Sequence, residues 1–214
     1  MARFASVVLD ADSTLAGIEG IDWLAERRSR EVAEESAALT AEAMEGVRPI
    51  DTIYATRLAK VRPSREMIAA LGAAYIRAVA PGAAECVATL RAEGVRVVIV
   101  SGGLRQALLP LARHLGVTAA DVHAVELVFD EDGEYARLAD GQPLATQAGK
   151  GAVVRTLGLP AAVLAVGDGA TDAAMRPAVD AFAAYVGFVR RAAVVREADF
   201  VIDSFDALKT LVLP

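Results

Sequence analysis

Three short apolar runs, each cut off by polar residues and glycines, constrain this chain more than any other feature. Residues 4–9 (FASVVL) stop at Asp10, residues 95–100 (VRVVIV) at Ser101-Gly102-Gly103, and residues 161–166 (AAVLAV) at Gly167-Asp168-Gly169. Runs that are apolar almost throughout read as strands buried on both faces, hence as a parallel sheet. Helical patterns lie between them: residues 83–93 before the second run, 106–115 after it and 150–157 before the third. Strands alternating with helices make βαβ units, so the expected class is α/β with a doubly wound, Rossmann-like parallel sheet. Such sheets bind ligands outside the carboxyl ends of their strands. All three runs carry their polar residues at that end.

Residues 15–80 show no convincing strand. They are helical in pattern at 18–28, 30–44, 52–59 and 65–79, broken by Pro49 and Pro63. This stretch reads as a small helical cap (15–80) inserted after the first strand of a core made of residues 1–14 and 81–214. An Asp-Gly turn within residues 129–135 (FDEDGEY) predicts a hairpin. Strands at 181–186 and 200–202 and a helix from Ser204 are expected to close the chain.

Composition excludes several functions. With 55% hydrophobic and 23% charged residues, the 214-residue chain can bury a sizeable core. Acids outnumber bases 28 to 22, a net charge of -6, which argues against nucleic acid as a partner. A small phosphorylated ligand needs only one or two well-placed cations. The lone Cys86 cannot form an internal disulfide, and its helical, apolar surroundings predict a buried thiol. No apolar stretch reaches the ~18 residues of a membrane span, and the first run is too short for a signal-peptide core. The expectation is a cytoplasmic protein with no membrane partner.

The strand ends hold the chemistry. Asp10-Ala11-Asp12-Ser13-Thr14 places two acids at the first, and Gly167-Asp168-Gly169-Ala170-Thr171-Asp172 brings two more to the third. Either segment alone would serve as a turn with a helix cap. Together they crowd carboxylates that repel one another unless a hard divalent cation sits between them, magnesium by preference. The glycines of Ser101-Gly102-Gly103 leave backbone N–H groups open to an anion. Lys150, at the start of a helix, opposes the helix dipole, a placement that a bound phosphate would explain. A metal, an anion nest, a lysine and a free carboxylate are the parts of phosphoryl transfer. Asp10 can attack phosphorus, and Asp12 can protonate the leaving alcohol and then activate water. His114 and His123 lie outside these loops and read as structural.

These four segments resemble, in order and spacing, the motifs of the haloacid dehalogenase (HAD) superfamily. Glu19-Gly20-Ile21-Asp22, Ala43-Met44-Glu45-Gly46, Arg57-Leu58-Ala59 and Pro63-Ser64-Arg65-Glu66 extend the resemblance to the phosphoserine phosphatase family over nearly the whole chain. The resemblance implies Mg2+-dependent hydrolysis of O-phospho-L-serine, the last step of serine biosynthesis, through an aspartyl-phosphate on Asp10 with Asp12 as general acid/base. It implies magnesium on the Asp10 carboxylate, the Asp12 backbone carbonyl and Asp168, with Asp172 supporting, and phosphate on Ser101, Gly102 and Lys150. On the substrate side it implies Glu19 for the ammonium, Arg57 for the carboxylate, Met44 and Ile50 as apolar cover, and also Gly103, Thr171 and Arg191. An anion for the ammonium and a two-pronged cation for the carboxylate are what an α-amino acid head requires. Ile50 and Leu104 stand where the family often has Phe, and residues 185–191 depart from its glycine-rich loop. These departures bear on phosphoserine selectivity more than on phosphatase chemistry. A same-mechanism phosphatase for another small phosphomonoester is the alternative. A phospho-accepting signalling domain would need neither the insertion nor Asp12.

Overall fold

Strand β1 (Ser6–Leu9) is buried at all four positions, as its unbroken apolar pattern requires. The computed structural model describes residues 2–213. After β1 the chain leaves the sheet for four helices, α1 (Gly20–Ala25), α2 (Arg30–Met44), α3 (Tyr54–Val61) and α4 (Arg65–Arg77). Helix α5 (Ala83–Ala92) returns it to β2 (Arg96–Leu104), α6 (Arg105–His114) and β3 (Val122–Val125). A two-stranded hairpin, β4 (Leu127–Phe129) and β5 (Tyr135–Leu138), precedes α7 (Gly149–Thr156) and β6 (Val163–Gly167). The chain closes through α8 (Ala170–Ala173), β7 (Ala181–Tyr185), α9 (Ala192–Glu197), β8 (Phe200–Ile202) and α10 (Phe205–Val212).

The main sheet has the order β3-β2-β1-β6-β7-β8, and every pairing in it is parallel. The chain winds outward from β1 to β3, returns to β6 on the other side of β1, and winds outward again. That reversal makes a topological switch point between β1 and β6. Leu9 stands opposite both Ile99 of β2 and Val166 of β6. Asp10, Ser101 and Asp168 therefore stand at nearly one level, one or two residues past that row.

Local sequence sets most element ends. Ser29, Ser64 and Ser204 each accept a backbone N–H from the third residue beyond, capping α2, α4 and α10. Helix α3 stops at Val61 because Arg62 adopts a left-handed conformation (φ 40°) directly before Pro63. Pro110 lies inside α6, and its ring packs against Gly72 of α4; a Cβ there would meet Pro110 at 3.1 Å. The absence of that Cβ lets α4 lie along α6. Leu15–Gly17 and Ala78–Ala80 run side by side where the helical insertion joins the sheet, with hydrogen bonds Ala80 N to Leu15 O (2.9 Å) and Gly17 N to Ala78 O (2.9 Å).

Several sequence expectations need correction. The second strand does not stop at Val100: Ser101, Gly102 and Gly103 continue it to Leu104, with an irregular register against β3 between Val100 and Leu104. Helix α6 follows at once from Arg105. The helix expected over 18–28 is regular only from Gly20 to Ala25. Strand β3 was not anticipated because His123 interrupts its apolar run, nor was α9, whose Val194-Val195 pair mimics a strand.

Phe182 is fully buried in β7 between β6 and β8. Phe182→Ala is expected to cost about 3–5 kcal/mol in urea unfolding. Val201→Ala, at an exposed position of β8, should change stability by no more than ~0.5 kcal/mol.

Candidate active site

The site starts from β1. Asp10 follows directly and is buried, with its Oδ1 2.7 Å from Lys150 Nζ. Lys150 is itself buried near the start of α7, and the same nitrogen donates to Asp172 Oδ1 at 2.6 Å. Burial pulls the Lys150 pKa down, but the Asp10 and Asp172 carboxylates outweigh it and hold the ammonium above its ordinary range. Asp172 also accepts the Gly169 N–H at 3.0 Å, which orders the loop after β6. Burial first, then the Asp10 charge, push the Asp172 carboxyl up to about 7.

Asp12 faces a different environment. Its carboxylate accepts the Tyr75 hydroxyl on one oxygen and the Gly20 N–H (3.3 Å) on the other. Burial raises its pKa well above the usual carboxylate range, helped by the charges of Glu19 and Asp10. Glu19 is raised as well, mainly by burial, although Ser13 Oγ donates to it at 2.7 Å. Ser13 reaches Glu19 from a left-handed backbone conformation (φ 51°). For a residue with a Cβ that conformation costs about 1–2 kcal/mol.

Asp10, Asp168 and Asp172 present carboxylate oxygens within 4.8 Å of one another, all three residues buried. An all-oxygen donor set of this density suits a hard divalent cation. The Asp12 carboxylate stands apart from this cluster, turned to Tyr75 and Gly20. Asp168 is oriented by Thr14 Oγ1 at 3.1 Å and by Arg191.

A cleft opens between the strand ends and the helical insertion. Its floor is Asp10, Asp12, Ser101, Gly102, Gly103, Lys150, Asp168 and Thr171, and its opposite wall includes Glu19, Met44, Ile50 and Arg57. Arg57 is buried and anchored: Asp22 Oδ1 accepts from it at 2.8 Å and Ser36 Oγ at 3.1 Å. Two predicted residues fall outside the lining. Asp172 lies beneath the floor, and Arg191 is turned to Asp168 and stands 3.8 Å from Glu19. Arg191, expected on the substrate side, thus stands behind Asp168 with its guanidinium near Glu19.

Sequence reading missed Tyr54, Tyr75, Asp22 and Ser36. Tyr54 Oη donates to the Gly102 carbonyl at 2.6 Å, joining α3 to the Ser101–Gly103 segment. Asp22 was visible as part of Glu19-Gly20-Ile21-Asp22. The two tyrosines fall on buried helix faces and carry no signal that separates them from core residues.

Comparison with known proteins agrees with this geometry. Residues 7–177 match the model of the haloacid dehalogenase-like hydrolases. The phosphoserine phosphatase of Bos taurus is 36% identical over 203 residues, covering 94% of this chain and 89% of its own. The chain belongs to the phosphoserine phosphatase family of haloacid dehalogenase-like hydrolases. A phosphoserine phosphohydrolase-like protein from Francisella tularensis superposes with a TM-score of 0.90 at 25% identity, covering 97% of this chain and 99% of its own. A phospho-aspartyl intermediate analogue of phosphoserine phosphatase gives a TM-score of 0.81 at 25% identity, covering 97% and 98%. Among the described residues, no helix is long and apolar enough to cross a membrane.

The raised Asp172 pKa has a measurable sign. An unfolded aspartate titrates near ~4. From there up to about 7 the folded state holds a proton that the unfolded state has released. This residue's contribution to stability is full below that window and is lost as pH rises through it. Urea unfolding of protein kept in EDTA, followed across the window, should show Asp172→Asn gaining on the wild type as pH rises. A pH-independent difference would mean that Asp172 stays ionised in the fold.

Proposed function

We propose that this protein hydrolyses O-phospho-L-serine to L-serine and phosphate through an aspartyl-phosphate on Asp10. The observation that carries the reading is one cleft in which Asp10, Asp12 and Lys150 face Glu19 and a buried, anchored Arg57. That charge pattern complements a phosphate ester whose other end is an α-amino acid. In the first step an Asp10 oxygen bonds to phosphorus as the phosphorus–oxygen bond to serine breaks, and Asp12 gives its proton to the departing seryl oxygen. In the second, Asp12, now a carboxylate, takes a proton from water. That water displaces the Asp10 carboxylate from phosphorus, so phosphate leaves and both acids are restored.

Lys150, Ser101 and Gly102 hold the phosphate oxygens, with Gly103 and Thr171 beside them. Magnesium suits the oxygen donors; Asp10, Asp168 and the Asp12 backbone carbonyl would hold it, with Asp172 supporting from below. When bound it neutralises phosphate charge and favours attack at phosphorus. Arg57 pairs with the substrate carboxylate and Glu19 with the ammonium, while Met44 and Ile50 cover the methylene. Arg191 keeps Asp168 and Glu19 in place. Residues 15–80 act as the lid, and within them α1–α3 are the moving part, because α4 packs along α6 of the core. The supporting family resemblance extends to a role in cytoplasmic serine biosynthesis.

The test is phosphate release from O-phospho-L-serine with and without magnesium, beside phosphothreonine, phosphoethanolamine, sugar phosphates and nucleotides. A metal-dependent preference for phosphoserine that vanishes in Asp10→Asn is expected. Activity spread evenly over the panel would replace phosphoserine with a broader class of monoesters. Arg57→Ala should raise KM for phosphoserine about 10-fold to 100-fold, the worth of a charged hydrogen-bonded contact. An unchanged KM would remove the amino-acid head from the reading.

A further inference from the structure

Tyr75 is fully buried on α4 and does not line the cleft, yet its hydroxyl donates to Asp12 Oδ1. The Gly20 N–H donates to the other oxygen at 3.3 Å. Two donors from two elements thus fix the plane of the carboxyl group. Each oxygen keeps a second lone pair, so a protonated Asp12 can accept from Tyr75 and still present its own proton to the cleft. Gly20 makes the approach possible: a Cβ there would lie 2.2 Å from the Tyr75 hydroxyl oxygen. Because α4 packs along α6, Tyr75 ties one oxygen of Asp12 to the core, while the Gly20 donor to the other comes from the start of α1.

We propose that Tyr75 is a positioning residue for Asp12, holding its carboxyl in the orientation that protonates an alkoxide leaving group. The proposal rests on the reading of Asp12 as general acid given above. Leaving-group chemistry separates this role from a packing role. The seryl oxygen needs a proton to depart, whereas p-nitrophenolate departs as a stable anion with little help.

Steady-state kinetics of Tyr75→Phe on O-phospho-L-serine and on p-nitrophenyl phosphate test it, with magnesium present and folding checked by thermal melting. The kcat/KM on phosphoserine, which reads the steps up to departure of the leaving group and not the later hydrolysis shared by both substrates, is expected to fall about 10-fold or more, a share of the 10²–10⁴ that general acid catalysis supplies. The loss of kcat/KM on the aryl ester should be several-fold smaller. Gly20→Ala, which pushes the hydroxyl aside, should reproduce the same contrast and serves as the test if Tyr75→Phe does not fold. The Gly20→Ala/Tyr75→Phe double variant should match the worse single variant rather than their product.

Equal losses on both substrates, or no loss on phosphoserine, would overturn the proposal. Asp12→Asn run in parallel locates the failure. If Asp12→Asn discriminates between leaving groups and Tyr75→Phe does not, the positioning role alone is wrong. If Asp12→Asn lowers kcat/KM equally on both substrates, Asp12 is not the general acid and both readings fall.

Discussion

The buried ammonium of Lys150 is the contact on which the rest of this site depends. It spans Asp10 and Asp172, two carboxylates brought together from the end of β1 and from α8. Without it, two desolvated negative charges would face each other at the switch point of the sheet. Removing one partner from a buried ion pair typically costs about 3–5 kcal/mol, because the other charge is left uncompensated. Arg191 does the same for Asp168 and stands close to Glu19. The site is therefore assembled as a lattice of opposed charges in which acids outnumber cations. That surplus is what makes it receptive to a divalent cation and to a substrate that brings its own ammonium.

The position of this lattice follows from backbone topology. A parallel sheet that reverses its winding direction beside β1 leaves a crevice between two diverging loops. The common row of Leu9, Ile99 and Val166 sets the following residues at one height. Small residues then let polar groups approach. Gly20 admits the Tyr75 hydroxyl, and Ser13 takes a left-handed turn to bring Glu19 toward Asp12. The left-handed Ser13 and the close approach of Gly20 to Tyr75 both lie beside the acids, where the chemistry can repay their cost.

Much of this was legible in the sequence because burial on both faces leaves an unambiguous pattern. The runs ending at Asp10, Ser101 and Asp168 gave the sheet, its functional edge and most of the floor of the cleft. The cap helices were legible from periodicity and prolines, and Ser29 and Ser64 mark the starts of two of them. What escaped depends on tertiary contact. The sequence could not reveal that Arg191 is consumed by Asp168, since a lone arginine looks the same whether it meets a substrate or a neighbour. Tyr54 and Tyr75 escaped because a buried tyrosine on an apolar helix face reads as core until its hydroxyl partner is known. Ser101–Gly103 read as a turn because three small residues interrupt an apolar run, although the backbone continues as strand.

The two tyrosines divide the helical insertion into parts with different obligations. Tyr54 on α3 reaches across the cleft to the Gly102 carbonyl, a single neutral hydrogen bond worth about 0.5–1.5 kcal/mol. A contact of that size can be broken and remade in each catalytic cycle. Tyr75 on α4 reaches Asp12 from a helix packed on α6, and its hydroxyl is fully buried. Leaving that buried carboxyl oxygen and hydroxyl unpaired would cost about 1–3 kcal/mol, so this bond is the harder one to break. The proposed moving part is thus held to the Ser101–Gly103 segment by a weak contact, whereas α4, which carries Tyr75, is held to the core. Because α4 follows α3 directly, through a left-handed Arg62 and Pro63, the division falls at a point where the backbone is already bent. Under the proposed lid motion, the residues that carry Arg57 and Met44 would retreat to admit a substrate while the Tyr75 contact to Asp12 stays with the core.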